Sequence, residues 1–255
     1  MSDTVAAFKA LHVPGDPLVL FNIWDAGSAR AVAGAGAKAI ATGSYGVAEA
    51  QGFKDGEAFA IEDALRNLER IVSATDLPVT LDFESGYGDT PAQVAASVRR
   101  AREAGAAGIN MEDRMPGATA LIPLAEAAQR VAAAAGSGLF VNARCDVYRG
   151  VTPEDYGPPL FEAVMQRARA YADAGAGGLF VPFLGDHAVI SAICEASPLP
   201  VNILWGPERG TRDQLAACGV ARISYGHGPW AAAMDWLGAQ ARAVFAGETV
   251  PYASA

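Results

Sequence analysis

Three short segments concentrate acids and an arginine at two-residue spacing: Leu81-Asp82-Phe83-Glu84, Asn110-Met111-Glu112-Asp113 and Asn142-Ala143-Arg144-Cys145-Asp146. Alternate side chains of an extended strand share a face. That period groups Asp82 with Glu84, Asn110 with Glu112, and Asn142 with Arg144 and Asp146. Carboxylates gathered at low dielectric repel one another, and a hard divalent cation is the simplest partner that makes such a gathering stable. Oxygen donors favour Mg²⁺ or Mn²⁺ over zinc, so Asp82, Glu84 and Glu112 are the expected metal-holding residues. An arginine facing the same site suits a substrate carboxylate, which its planar fork can grip at two points. Arg144 is that arginine. Asp113 and Asp146 are balanced between this site and the capping of the helices that follow.

Such residues act together only if the chain brings several strand ends to one place. A glycine followed by a short apolar strand recurs at Gly36-Ala-Lys-Ala-Ile40, Gly105-Ala-Ala-Gly-Ile109, Gly175-Ala-Gly-Gly-Leu179 and Gly219-Val-Ala-Arg-Ile223. Each glycine reads as a helix end feeding a buried strand. Pro17-Leu-Val-Leu-Phe21, Pro78-Val-Thr-Leu-Asp82, Pro200-Val-Asn-Ile-Leu204 and Gly138-Leu-Phe-Val-Asn142 bring the number of strands to eight. Segments rich in Ala, Arg and Glu separate them, with helices expected over 26 to 35, 57 to 74, 91 to 104, 124 to 135, 155 to 174, 187 to 196, 210 to 218 and 229 to 245. Strand then helix, eight times, predicts a single closed (β/α)8 TIM-type barrel over residues 1–255. A doubly wound open sheet competes, but no G-x-G-x-x-G follows the first strand. In a barrel, chemistry collects at the carboxyl ends of the strands, where all three segments lie.

Composition limits the partners. A formal net charge of -9 with no Lys/Arg cluster argues against nucleic acid and membrane surfaces. An acidic metabolite remains compatible if a metal intervenes. The three cysteines, Cys145, Cys194 and Cys218, lack C-x-x-C spacing, which suggests neither a disulfide framework nor a zinc site and fits a reducing, cytoplasmic setting. The stretch Met1 to Pro17 does not read as a signal peptide, and no apolar run approaches the ~18 residues that cross a bilayer. Cys145, on the strand face opposite Arg144, reads as a packed thiol. His227 reads as a structural hydrogen-bonder rather than an acid or base, and His12 and His187 lie away from the motifs.

The segments N-I-W-D-A-G-S-A-R (22 to 30), A-T-G-S-Y-G-V-A (41 to 48), D-F-E-S-G-Y-G (82 to 88), G-I-N-M-E-D (108 to 113) and N-A-R-C-D (142 to 146) together resemble the isocitrate lyase and phosphoenolpyruvate mutase superfamily. The resemblance runs over essentially the whole chain. It implies a (β/α)8 barrel whose last helix is exchanged between subunits of a homo-oligomer, usually a dimer of dimers, with Mg²⁺ and 2-oxo or 2-hydroxy acid substrates. Carried over by position, Asp82 resembles the direct metal ligand, and Glu84 and Glu112 the acids that hold metal-bound waters. Glu84 stands where an aspartate is common. Asp55 resembles the family's acid on the loop after the second strand, a position that alone reads as a surface turn, and joins Arg144 and Glu112 as an expected catalytic residue. Gly43, Ser44 and Tyr45 match the segment that binds the substrate's carboxylate and oxyanion.

One segment departs from the pattern. Lyases that split isocitrate or methylisocitrate carry K-K/R-C-G-H after the fourth strand, whereas this chain reads Arg114-Met-Pro-Gly-Ala-Thr-Ala-Leu-Ile-Pro123. The longer lid of the phosphonate-forming mutases is also missing. The expectation is an Mg²⁺-dependent enzyme that binds a small 2-oxo acid or dicarboxylate and cleaves a carbon–carbon bond through a metal-stabilised enolate. Phosphonopyruvate hydrolysis or mutase-type P–C chemistry, and a silent 2-oxo acid binder, are the alternatives.

Overall fold

In a computed structural model describing residues 2–250, all eight apolar segments become strands. They are β1 (Leu18–Leu20), β2 (Ile40–Ala41), β3 (Val79–Asp82), β4 (Gly108–Glu112), β5 (Phe140–Arg144), β6 (Gly178–Val181), β7 (Val201–Leu204) and β8 (Arg222–Ser224). Hydrogen bonding runs in the parallel order β1-β8-β7-β6-β5-β4-β3-β2. Just past the ends of β1 and β2 the seam is bridged, with Ile23 N–H donating to Ala41 O at 2.8 Å and Gly43 N–H donating to Ile23 O at 3.1 Å. The architecture is the (β/α)8 barrel that the strand–helix alternation predicts.

The helices are α1 (Ser2–Ala10), α2 (Ala26–Gly34), α3 (Ser44–Ala50), α4 (Ile61–Val72), α5 (Pro91–Glu103), α6 (Leu124–Ala135), α7 (Pro158–Asp173), α8 (His187–Ala196), α9 (Arg212–Ala217) and α10 (Gly228–Phe245). The four glycine-led strands begin later than their glycines because those glycines still belong to the helix ends. Gly105 has φ 100°, and Ala106 N–H reaches back to Ala101 O at 3.1 Å, the closing bond of a left-handed helix end. The region 57 to 60 is loop rather than the start of α4.

Two helices depart from the expected set. α1, only nine residues long, closes the amino-terminal floor of the barrel. There Phe8 is fully buried, its ring 5.4 Å from that of Phe140, and the His12 ring stacks on Phe140 at 4.2 Å. α3 begins at Ser44, inside the segment expected to bind substrate. Within the barrel, Asn142 Nδ2 donates to Asn110 Oδ1 at 2.9 Å, and the buried Arg222 donates to the same oxygen at 3.0 Å.

α10 leaves Trp236, Leu237 and Phe245 exposed. On the outer wall, a cavity of about 610 Å³ lies along β1 and α2, lined by Leu18, Phe21, Val32 and Ala35 and reaching Arg212 of α9. Among the described residues no helix is long and apolar enough to cross a membrane.

Candidate active site

β3 ends at Asp82, whose N–H donates to Thr42 Oγ1 at 2.8 Å and whose Oδ2 accepts from Ser44 N–H at 3.0 Å. Beyond it the chain turns, so strand alternation is not what aims Glu84. Among the described residues, the three non-glycine residues with positive φ are Glu57 (59°), Glu84 (47°) and Tyr87 (49°), and all three meet here. Such left-handed conformations cost roughly 1 to 3 kcal/mol each and need surrounding contacts to persist. The Glu57 carboxylate accepts from Ser85 N–H (3.0 Å), Ser85 Oγ (2.6 Å) and Tyr87 N–H (3.1 Å), while Glu57 N–H donates to Glu84 Oε2 at 2.6 Å. From below, buried Arg130 donates to Ser85 O and Gly88 O, both at 2.8 Å.

The parallel register of β4 with β5 sets Glu112 beside Arg144, and Arg144 Nη1 donates to Glu112 Oε1 at 2.6 Å. Arg144 also forks onto Asp146, from Nε to Oδ1 at 2.7 Å and from Nη2 to Oδ2 at 3.2 Å. Asp146 is fully buried and further pairs with Arg149 at 3.1 Å and Arg114 at 3.5 Å. It holds arginines rather than capping a helix. Asp113 is a structural brace, accepting from Asp146 N–H and Tyr171 OH, each at 2.9 Å, and pairing with Arg167 at 3.1 Å. Cys145 is a fully buried core thiol whose pKa is raised by burial.

One polar cavity of about 300 Å³ is lined by Asp55, Glu84, Glu112 and Arg144, together with Arg114 and Arg149. Burial first, then the charges of Asp55 and Asp82, pushes Glu84 up to about 8. Glu112 rises to about 7, again chiefly from burial, with Arg144 opposing and Asp82 and Asp146 adding to it. Asp55 stands at the open rim. Partial desolvation raises its carboxyl, the Ser44 side chain draws it down, and Asp82 pushes it up. Burial alone would lower Arg144, but Glu112 and Asp146 outweigh it and hold the guanidinium firmly charged.

Not every expected residue sits as the strand period implies. The Gly43 amide is spent on the barrel seam and the Ser44 amide on Asp82, leaving the Tyr45 amide in that segment. The Tyr45 ring packs 5.5 Å from His227, away from the polar cavity, and His227 lines a separate aromatic cavity with Trp205 and Tyr225. Among the described residues no three His, Cys, Asp or Glu side chains are arranged to hold one metal directly. Glu112 is drawn to Arg144, Glu84 to the Glu57 amide and Asp82 to the Ser44 amide. The donor set nevertheless suits a hard cation, since all donors are oxygens and the buried Glu84 carboxyl has no cationic side chain paired with it.

Residues 8–245 match the phosphoenolpyruvate phosphomutase family. The chain belongs to that family, within the isocitrate lyase and phosphoenolpyruvate mutase superfamily. The chain is similar to a solved structure provisionally described as a phosphonomutase, from Burkholderia cenocepacia J2315. It is 49% identical with a TM-score of 0.91, covering 94% of this chain and 98% of that one. An uncharacterised protein of Mycobacterium tuberculosis is 38% identical over 96% of this chain and 91% of its own length. The 2-methylisocitrate lyase of Salmonella typhimurium is 28% identical over 86% of this chain and 77% of its own.

Glu57, Arg114, Arg149 and Arg222, which the fold brings to the mouth or the barrel interior, are not among the residues expected from the sequence. Arg149 had a readable signal, a second arginine five residues past Arg144 on the same strand-end loop. Glu57 had none, because its partners lie 27 to 30 residues away.

Proposed function

We propose that this family member is an Mg²⁺-dependent carbon–carbon lyase or decarboxylase acting on a small 2-oxo acid or dicarboxylate. The polar cavity at the barrel mouth, where Asp55, Glu84 and Glu112 face Arg144, carries this reading. Superfamily enzymes similar to the chain include oxaloacetate decarboxylases, and a phosphonopyruvate hydrolase of the same fold binds oxalate and Mg²⁺.

Asp82, Glu84 and Glu112 would hold the cation, Asp82 directly and the glutamates through water. When bound, the cation polarises the 2-oxo carbonyl and favours the charge that develops as the bond beta to it breaks. Arg144 has five N–H donors. Three are spent on Glu112 and Asp146, leaving one on each terminal nitrogen for a substrate carboxylate. Tyr45, in the first turn of α3, offers its amide to the same negative charge, while the Ser44 amide holds Asp82 in place. Asp55, at the rim of the cavity, would take or give the proton that moves to or from the substrate carbon.

A binder without turnover is the second reading, favoured by the 114–118 stretch of the cavity wall, which offers no cysteine or histidine as an acid. The test combines Mg²⁺-dependent oxalate titration with turnover of 2-oxo and 2-hydroxy dicarboxylates and phosphonopyruvate. The lyase reading expects Mg²⁺-dependent oxalate binding together with release of a smaller oxo acid. Full oxalate affinity in excess EDTA sinks it, binding without turnover favours the binder, and phosphate release favours P–C chemistry.

The same proposal includes an oligomer in the cytoplasm in which α10 packs onto a second copy. The exposed apolar residues of α10 and the apolar cavity along β1 and α2 support the exchange. Sedimentation at micromolar concentration should show a dimer or tetramer, and a monomer there would remove the exchange.

A further inference from the structure

The mouth cavity is electrically divided. Asp55, Glu84 and Glu112 contribute carboxylates to its lining, whereas Arg114, Arg144 and Arg149 converge on the single buried carboxylate of Asp146. Of these three guanidiniums only Arg144 has a second acid, Glu112. Three positive charges therefore meet two negative ones, and the surplus belongs to the cavity wall.

That surplus is not equally available on the three side chains. Arg114 donates to Thr119 O and, at 3.4 Å, to Asp146 O, so it braces the loop after β4. Arg144 is held by Glu112 and Asp146. Among the described residues Arg149 spends only Nη1, on Asp146 Oδ2 at 3.1 Å, and its side chain stays 48% exposed. It is still positioned: its N–H closes a turn onto Asp146 O at 3.0 Å, and its guanidinium lies 5.5 Å from the Phe183 ring, the same distance as Arg144. Arg149 is thus a fixed, half-open cation with four unspent N–H donors beside the residue expected to grip the substrate head.

We infer that Arg149 recognises a second anionic group on the substrate, so that the site selects 2-oxo acids with a distal carboxylate over monocarboxylates such as pyruvate. This rests on the reading that a 2-oxo acid head binds near Asp82 and Arg144. With the head there, the carboxylates of Asp55 and Glu84 repel a second anion, and the arginine wall is the direction left to it. A half-exposed arginine gains modestly from a single-point pair with a carboxylate that two other arginines already share. It gains more when a ligand excludes water and accepts two of its N–H groups.

The test is calorimetric titration of the intact protein at saturating Mg²⁺, comparing the parent with Arg149→Gln and Arg149→Lys. Two probes separate head from tail: oxalate, which has only the head, and 3,3-difluorooxaloacetate, which adds a distal carboxylate. Arg149→Gln should weaken the dicarboxylate about tenfold or more and oxalate by less than about twofold, as expected for loss of a charged hydrogen bond to the tail alone. Arg149→Lys should fall between, keeping charge without the planar fork. Equal losses for both probes, or unchanged dicarboxylate affinity, overturns the inference. A parent that binds oxalate but not the dicarboxylate overturns it while sparing the head-binding reading. A parent that binds neither probe overturns both.

Discussion

The two ends of this barrel handle buried polarity in opposite ways. At the floor, Phe8, Phe140 and His12 pack against one another, and burial, helped by the Arg222 charge, lowers His12 to about 3, so the ring stays neutral. At the mouth, acids crowd one another, Glu84 and Glu112 are lifted to about 8 and 7, and three left-handed residues are held by side-chain hydrogen bonds. The floor keeps its histidine uncharged, and the mouth accumulates acids and strain. Residues that contribute stability and residues that contribute chemistry are therefore separable by substitution.

The largest expected effect is at the mouth. Asp82→Ala should abolish Mg²⁺-dependent oxalate binding while leaving the thermal midpoint within a few degrees of the parent, because strand-end residues serve chemistry more than stability. Unchanged metal-dependent affinity would remove Asp82 from the site. Next is the floor. Phe8→Ala should cost about 3 to 5 kcal/mol of folding stability, the usual loss for emptying a buried aromatic position. Denaturant melts measure that loss, while oxalate affinity of the folded fraction should stay unchanged. A Phe8→Ala protein of parental stability but impaired binding would break the separation of the two ends.

Arg144→Lys is a smaller perturbation. It keeps the charge and loses the planar fork, so oxo-acid affinity at saturating Mg²⁺ should fall by roughly 1 to 3 kcal/mol. Stability of the ligand-free protein should change less. If Arg144→Lys binds like the parent, or unfolds before binding is measurable, Arg144 is structural.

The smallest effect is in pH dependence, where the ends differ in sign. His12 has a lowered folded pKa, so its share of stability is present above about 6.5 and is lost as pH falls toward about 3. Glu84 and Glu112 have raised folded pKa values, so in EDTA their share is present below about 4.5 and is lost as pH rises through about 7 and 8. Added Mg²⁺ should therefore raise the thermal midpoint more at pH 8 than at pH 5. His12→Phe should flatten only the acid limb. A rise in midpoint with Mg²⁺ that is independent of pH would take Glu84 and Glu112 away from the cation.

Sequence alone was enough for the eight strands, the barrel and the strand faces that carry Glu112 and Arg144. Those follow from local rules: two-residue alternation along β4 and β5, glycine at left-handed helix ends, and proline at strand entry. The same rules mislead at Glu84, which reaches the cavity through a positive-φ turn instead of strand alternation. They also leave the role of Asp146 open between helix cap and site, whereas the fold places three arginines around it. Asp55 was legible only by resemblance, since nothing in its neighbours marks it off from a surface turn. Glu57 was invisible, because a carboxylate that accepts from amides and a hydroxyl far along the chain leaves no local pattern. Periodicity determines which residues share a strand face, because that depends on backbone geometry repeated every two residues. Which loops meet above the barrel, which arginine keeps free donors and how far each carboxyl is desolvated depend on contacts between distant segments, and only the tertiary structure decides those.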